Sequence, residues 1–501
     1  MRLVYCVFVS AATAFAQLAT FPWTGLAHDS QHSANSSTAS QNLNSIKWST
    51  PVDLFPPYSP GGELFIHYGS PVITAANTVV VPVKTGLNDG FELVAVDGTS
   101  GALKWTIASD YVLPQHNWIP SYGIALTPRS RVFFPGRGGT VYYRDNPDTP
   151  GGGASGQLAF YGISTYLANQ TNLNSTVFIN TPITVDKYGD IFFGFVVSGP
   201  NAAGLQSGVA RIPLSGVGGS WVSAVAASGG DAGITKVPHN CAPALSIDQR
   251  TLYVAVSNGD GLSFDATGYL TALDAVSLAP KTHVFLTDPK SGLPASLPDN
   301  GSASPTVGAD GDVYYGVLEN PFPNNNDRGW LLHFNSTLAA SKTPGAFGWD
   351  DTPSTVPRAM VPSYAGSSSY LLLTKYNNYL GVGTGDGQNK LAILDPNATE
   401  IDPITGATVM KEVLTVLGPT PHPAGGVYEW CINSAVIDAA TKSALVNSED
   451  GHMYRWNLVS GTLTQAMTLS AGVGEAYTPT LIGVNGFVYA INHATLFAVG
   501  Q

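Results

Sequence analysis

The segment LVAVDGTSGALKW, residues 93–105, constrains the fold more than any other feature, because weaker versions of it return along the chain. Leu93, Ala95 and the intervening valines make a strand. Asp97-Gly98 and Ser100-Gly101 make a tight turn, since glycine tolerates positive φ and aspartate caps the loop. A second strand closes on Trp105. Related phrases are YLTALDAVSLAPKTHVFL (269–286), KLAILDPNATEIDPITGATVMKEV (390–413) and HMYRWNLVSGTLTQAMTL (452–469). A second phrase runs upstream: a small or apolar run, a turn, then an aromatic-rich strand. It stands at 70–83 (SPVITAANTVVVPV), 123–136, 181–196, 242–256, 304–317, 433–448 and 478–491, with a degenerate copy at 359–374. Eight copies, roughly 45–75 residues apart and each supplying about four short strands, have the period of propeller blades. The expected fold is all-β: one eight-bladed β-propeller of four-stranded antiparallel blades. The last copy, HATLFAVGQ, supplies a third strand and no fourth. NSIKWSTPV (44–52) offers the missing one, so the N-terminal strand is expected to close the ring and leave no open edge.

Residues 1–16 read as a secretory signal peptide, with Arg2, an apolar stretch and AFA before Gln17. Residues 17–43 form an N-terminal segment, and 44–501 the single propeller domain. The expected product is secreted, extracellular or periplasmic, and monomeric. Lys and Arg total 22 against 34 Asp and Glu, a net charge of −12, with no basic run. Nucleic acid and anionic membrane are therefore not expected partners. Sequons at Asn35, Asn169, Asn174, Asn300, Asn335 and Asn397 suit a glycoprotein where the host glycosylates. Cys6 leaves with the signal peptide. Cys241 and Cys431 remain, either as one disulfide or as two buried thiols in the non-adjacent blades four and seven.

In a propeller the innermost strand of each blade lines the axis, and the loop leading into it opens on a funnel. Those loops carry His67, Tyr68, His116, His239, Arg358 and Tyr477, the candidate catalytic residues. They also carry Asn117, Trp118, Asn240, Glu429, Trp430 and Glu475, candidates for ligand binding. Aromatic rings supply stacking faces and the polar groups fix orientation, which points to a small-molecule or glycan ligand. The residue types suit general acid–base chemistry such as polysaccharide β-elimination, with His or Tyr taking the proton and Arg358 offsetting the developing charge. Glu429 and Glu475, on adjacent blades, offer a carboxylate pair. The three histidines lack HxH or HExxH spacing, so no metal is assigned.

The AVDGTSGALKW pattern, the eightfold count and the closing Trp resemble the quinoprotein alcohol dehydrogenase-like propellers, whose repeats take their name from pyrroloquinoline quinone (PQQ). The resemblance covers nearly all of the chain after residue 16. It implies three further parts. ENPFPNNNDRGWLLHFN (319–335) is similar to a Gly-Asn-Pro segment and places Asn320 at a calcium-ligating asparagine. FGWDD (347–351) places Asp350 as general base, and LLLTKYNNY (371–379) places Lys375 as the cation beside the quinone. The chain departs from that pattern in having no vicinal cysteine pair and no glutamate in the third blade, FGFVVSGPNAAGLQSGVARI (193–212). Three readings stand: a funnel protein that binds or acts on a polar ligand, carbohydrate among the candidates, with no cofactor assigned, a PQQ- and calcium-dependent alcohol or sugar dehydrogenase, and a non-catalytic interaction scaffold.

Overall fold

One side chain explains the repeated phrase. Asp97 Oδ1 accepts the backbone N–H groups of Thr99 and Ser100, and Gly101 follows with φ 71°, so the chain reverses there. Asp274 holds Val276 and Ser277 in the same way, and Asn457 holds Val459 and Ser460. In the computed structural model, which describes residues 22–60, 62–470 and 478–501, these turns join the third and fourth strands of blades one, four and seven.

Eight antiparallel sheets form the ring. Blade one pairs Val72–Ile73, Thr78–Lys84, Phe91–Asp97 and Leu103–Ser109 in that order. The inner strands of blades two to five are Ala125–Leu126, Thr184–Val185, Ala244–Leu245 and Thr306–Val307. Those of blades six to eight are Ser354–Pro357, Val436–Asp438 and Leu481–Ile482. Inner and second strands are buried along most of their length, whereas outermost strands such as Thr462–Thr468 alternate exposed and half-buried residues. That gradient is what stacked blades require, with apolar faces meeting between blades and one edge in water.

Closure follows the expected route. Ser45–Pro51 pairs antiparallel with Thr495–Gly500 as the fourth strand of blade eight. Trp48 then reaches the first blade, where its Nε1–H donates to Gly98 O at 3.1 Å and its ring lies where a Cβ on Gly101 would fall. The same glycine that makes the turn makes room for the closing tryptophan.

Three local points are settled by the structure. Blade six begins earlier than its degenerate repeat suggested, because Ser354–Pro357 is the inner strand and 358–360 a 3₁₀ turn after it. LDPNATEID (394–402), whose Asp, Asn and Thr suit a turn, is largely strand: Lys390–Ile401 continues through a bulge, and the turn sits at Asp402–Gly406. Cys241 and Cys431 are both buried, in blades four and seven, and no disulfide joins them. Burial pushes the Cys241 thiol up to about 11, which keeps it protonated and unreactive. In the folded protein at pH 8, a thiol reagent should leave Cys241 unmodified, and unfolding in urea should release it. Peptide mapping of alkylated Cys241 from native protein would contradict this.

The N-terminal segment does something the sequence did not suggest. It laces across the channel floor, donating and accepting along the open edges of successive inner strands. Trp23 and Ile73 exchange two backbone bonds, and the N–H groups of Leu126, Leu245, Val307, Thr355 and Ile437 donate to the carbonyls of Thr24, Ser30, Gln31, Ser33 and Ala34. Inner edges that would otherwise be unpaired are thereby satisfied. The proposed signal peptide lies outside the described residues. Among the described residues, no helix is long and apolar enough to cross a membrane.

Candidate functional site

Strand order fixes which loops meet. Loops leading into inner strands, and loops between second and third strands, emerge on one face of the ring. The remaining turns and the N-terminal plug occupy the other. On the first face Trp349-Asp350-Asp351 precedes the inner strand of blade six, and Lys375 stands near the end of that blade's second strand, Tyr370–Tyr376.

These residues converge. Lys375 Nζ lies 4.0 Å from Asp350 Oδ2, with both side chains almost fully buried. Asp350 Oδ1 accepts the backbone N–H of Ser302, and Asp350 itself takes φ 53°, an uncommon conformation for a non-glycine residue. Asp351 accepts from Thr374 Oγ1. Burial raises the Asp351 carboxyl to about 7, against the pull of Lys375 and the Thr374 hydroxyl and with help from Asp350. Glu429 lies close by and is raised to about 8 by burial and by repulsion from Glu449, which Lys375 only partly offsets. Ligand atoms of Glu429, Cys431 and Glu449 all fall within 4.8 Å of one another. Asp327 is raised to about 7 by burial and by the charges of Glu319 and Glu429. Burial alone would lower the Lys375 ammonium, but Asp350, Cys431, Asp351 and Glu429 outweigh it and hold it up. One buried cation thus stands beside Asp350 and near Asp351, Glu429 and Asp327, the last three raised to about 7, about 8 and about 7.

Below this cluster lies a narrow axial cavity with Leu26 of the plug among its lining residues, together with His67, Ser121, Asn240, Ser302 and Asn433. His67 donates Nε2–H to Asn300 O at 2.7 Å and stacks on Trp118 with 5.5 Å between centroids. Its pKa is lowered by burial, despite the nearby Asp350 charge. Asn240 Oδ1 accepts the Ser121 N–H and its amide donates to Gly301 O, so it ties three inner loops together. Ser121 Oγ and Asn433 Oδ1 are buried without a hydrogen-bond partner among the described residues.

The other sequence candidates separate from this centre. Tyr68 points its hydroxyl at Asp53 Oδ2, 3.0 Å away, in a buried pair with Lys84. His239 is held at both nitrogens, donating Nε2–H to Gln115 O and accepting from the Asn180 amide, and burial lowers it to about 3. His116 donates Nδ1–H to Pro114 O, and Asn117 is exposed beside it. Arg358 is exposed and sits over Tyr364, because it follows the blade-six inner strand and so emerges on the opposite face. Trp430 is fully buried core, with its backbone bonded to Asn377. Glu475 and Tyr477 lie outside the described residues. Asp351, Asp327 and Ser302 were not singled out in the sequence. Only the doubled aspartate of WDD hinted at the first of them.

The calcium cradle implied by the resemblance is not formed by these residues. Asp350 Oδ1 accepts the Ser302 N–H, and its Oδ2 faces the Lys375 ammonium at 4.0 Å, a cation where a calcium would stand. Asn320 spends its amide on Pro294 O, and Glu319 accepts N–H groups from Asn325, Asp327 and Gly329. Among the described residues no carboxylate from blade three joins them, and the two cysteines are not neighbours.

No protein-family model and no curated protein sequence matches the chain. Solved structures do. A europium-containing methanol dehydrogenase is similar over 94% of this chain and 89% of that one, at 10% identity and TM-score 0.55. A quinohemoprotein alcohol dehydrogenase from Comamonas testosteroni is similar over 96% and 81%, at 12% identity and TM-score 0.52. These likenesses establish a shared fold.

Proposed function

We propose, on the premise that the chain has the eight-bladed propeller fold of the PQQ-type dehydrogenases, that it uses this fold without the quinone. In this reading it is a secreted protein whose funnel binds a neutral polar ligand, carbohydrate in class, and acts on it by proton transfer. The observation that carries the reading is the buried Lys375 among acids that titrate near neutral pH. Glu429, partly exposed and raised to about 8, is the group able to give or take a proton at working pH. Lys375 steadies negative charge on the departing glycosidic oxygen as its bond breaks, in place of the charge-offsetting part the sequence had assigned to Arg358. Asp350 orients the Lys375 ammonium, and His67 forms the wall beneath. A neutral ligand is favoured over an acidic one because the carboxyls around Lys375 outnumber it.

The test is a panel of neutral and acidic polysaccharides, scored for both new reducing ends and ultraviolet-absorbing unsaturated ends. Turnover of a neutral substrate, reduced about 10²-fold in Glu429→Gln and indifferent to PQQ and calcium, is the expected result. Dye reduction that depends on PQQ and calcium, and is lost in Asp350→Ala, would replace this reading with the dehydrogenase one.

A further inference from the structure

Next to the axial cluster, the funnel face holds a second cavity, of about 450 Å³. Its walls come from four loops. Phe264 and Asp265 belong to the loop between the second and third strands of blade four, and Leu318, Phe322 and Asp327 to the equivalent loop of blade five. Ser296 and Trp349 come from the loops leading into the inner strands of blades five and six. Three aromatic rings therefore face one space from three directions.

Phe264 is 51% exposed and Phe322 58% exposed. Large rings held in water at the mouth of a cavity suggest a ligand that covers them. The charges select its sign. Asp265 and Asp327 line the cavity, and no lysine, arginine or histidine does. The Asp327 carboxyl makes no hydrogen bond to the described residues, whereas the oxygens of neighbouring Glu319 are occupied by backbone N–H groups. An anionic ligand would be repelled. For a sugar, the Asn320 amide N–H and the Glu319 carboxylate are already committed. Aromatic faces together with an uncommitted carboxylate suit a positive charge on an apolar body, because the ring quadrupole and the carboxylate attract the same ion.

We propose that this cavity binds an organic cation, an alkylated or quaternary amine, between the rings of Phe264, Phe322 and Trp349 with Asp327 as its counter-ion. The inference goes beyond the acid–base reading and does not rest on it, since binding here needs no proton transfer and no turnover.

The probes are choline and its uncharged carbon isostere 3,3-dimethylbutan-1-ol, titrated calorimetrically into the full chain at pH 8. Choline should bind about ten-fold tighter than the isostere. Phe322→Ala, at an exposed position that spares the core, should weaken choline about ten-fold. Asp327→Asn should abolish the preference for charge. Between pH 8 and pH 6 choline affinity should fall as Asp327 takes up its proton at about 7. Equal affinity for the two probes, no heat with either, or undiminished choline binding in Phe322→Ala would overturn the proposal. A polysaccharide panel that shows no turnover would leave it standing.

Discussion

Lys375→Met should lower the unfolding free energy by about 3–5 kcal/mol at pH 8 and by clearly less at pH 5. Lys375 is nearly inaccessible, and its charge is balanced by Asp350, Asp351 and Glu429. Removing it leaves buried carboxyls that must stay ionised without a partner or take up protons. At pH 8 both choices are costly. At pH 5 Asp351 and Glu429, raised to about 7 and about 8, already hold their protons, so fewer negative charges lose a partner. The wild type carries the same signature. A carboxyl whose pKa is higher folded than unfolded contributes stability that is complete below the unfolded value and is lost as pH rises through the folded one. For Asp351 and Glu429 that window opens near 3.8 and 4.5 and closes at about 7 and about 8. Urea denaturation of wild type and variant at pH 5 and pH 8 checks both statements. Equal losses at the two pH values, or a loss under about 1 kcal/mol, would mean that the acids around Lys375 are not energetically coupled to it.

How much of this could be read beforehand depends on what kind of information each element needs. The blade count came from local chemistry repeated in place: eight copies of a small or apolar run, a turn and an aromatic-rich strand, with an Asx turn following at Asp97, Asp274 and Asn457. Closure was readable for the same reason, since IKW repeats LKW and Trp48 meets the turn it resembles. Blade six misled because Ser354–Pro357 is short and polar while the following Tyr370–Tyr376 strand is strongly apolar, which drew the repeat register downstream. That shift carried Arg358 onto the wrong face. The axial site was harder, because choosing among side chains on eight converging loops requires rotamers and partners, which periodicity does not encode. Tyr68 and His239 sit on the right loops and spend their polar atoms on Asp53, Gln115 and Asn180. Asp350 and Lys375 were placed by resemblance and lie 4.0 Å apart, while Asn320, placed by the same resemblance, donates its amide N–H to Pro294 O. The plug had no repeat to announce it: Thr24 to Ala34 meet the ring through backbone carbonyls and through the single, unrepeated side chains of Gln31 and His32.

Trp23→Ala tests whether that plug is part of the fold or a cover laid on it, and a loss of about 3–5 kcal/mol is expected. Trp23 is 2% exposed, exchanges two backbone bonds with Ile73 and packs edge-on against His28 at 4.7 Å. Its neighbours are equally committed: Ala27 and Ala34 are fully buried, and His32 donates Nδ1–H to Pro305 O. If plug and ring unfold together, the cavity left by the indole must be felt in the global transition, and limited proteolysis of the native variant should still spare residues 22–41. If the plug detaches independently, the variant should keep its unfolding midpoint and be cut in that segment. The first outcome has a functional consequence. Leu26 forms part of the axial cavity beside His67 and Asn433. An integral plug therefore closes the channel at one end, and any ligand that reaches Lys375 and Glu429 must arrive through the face on which Phe264 and Phe322 stand exposed.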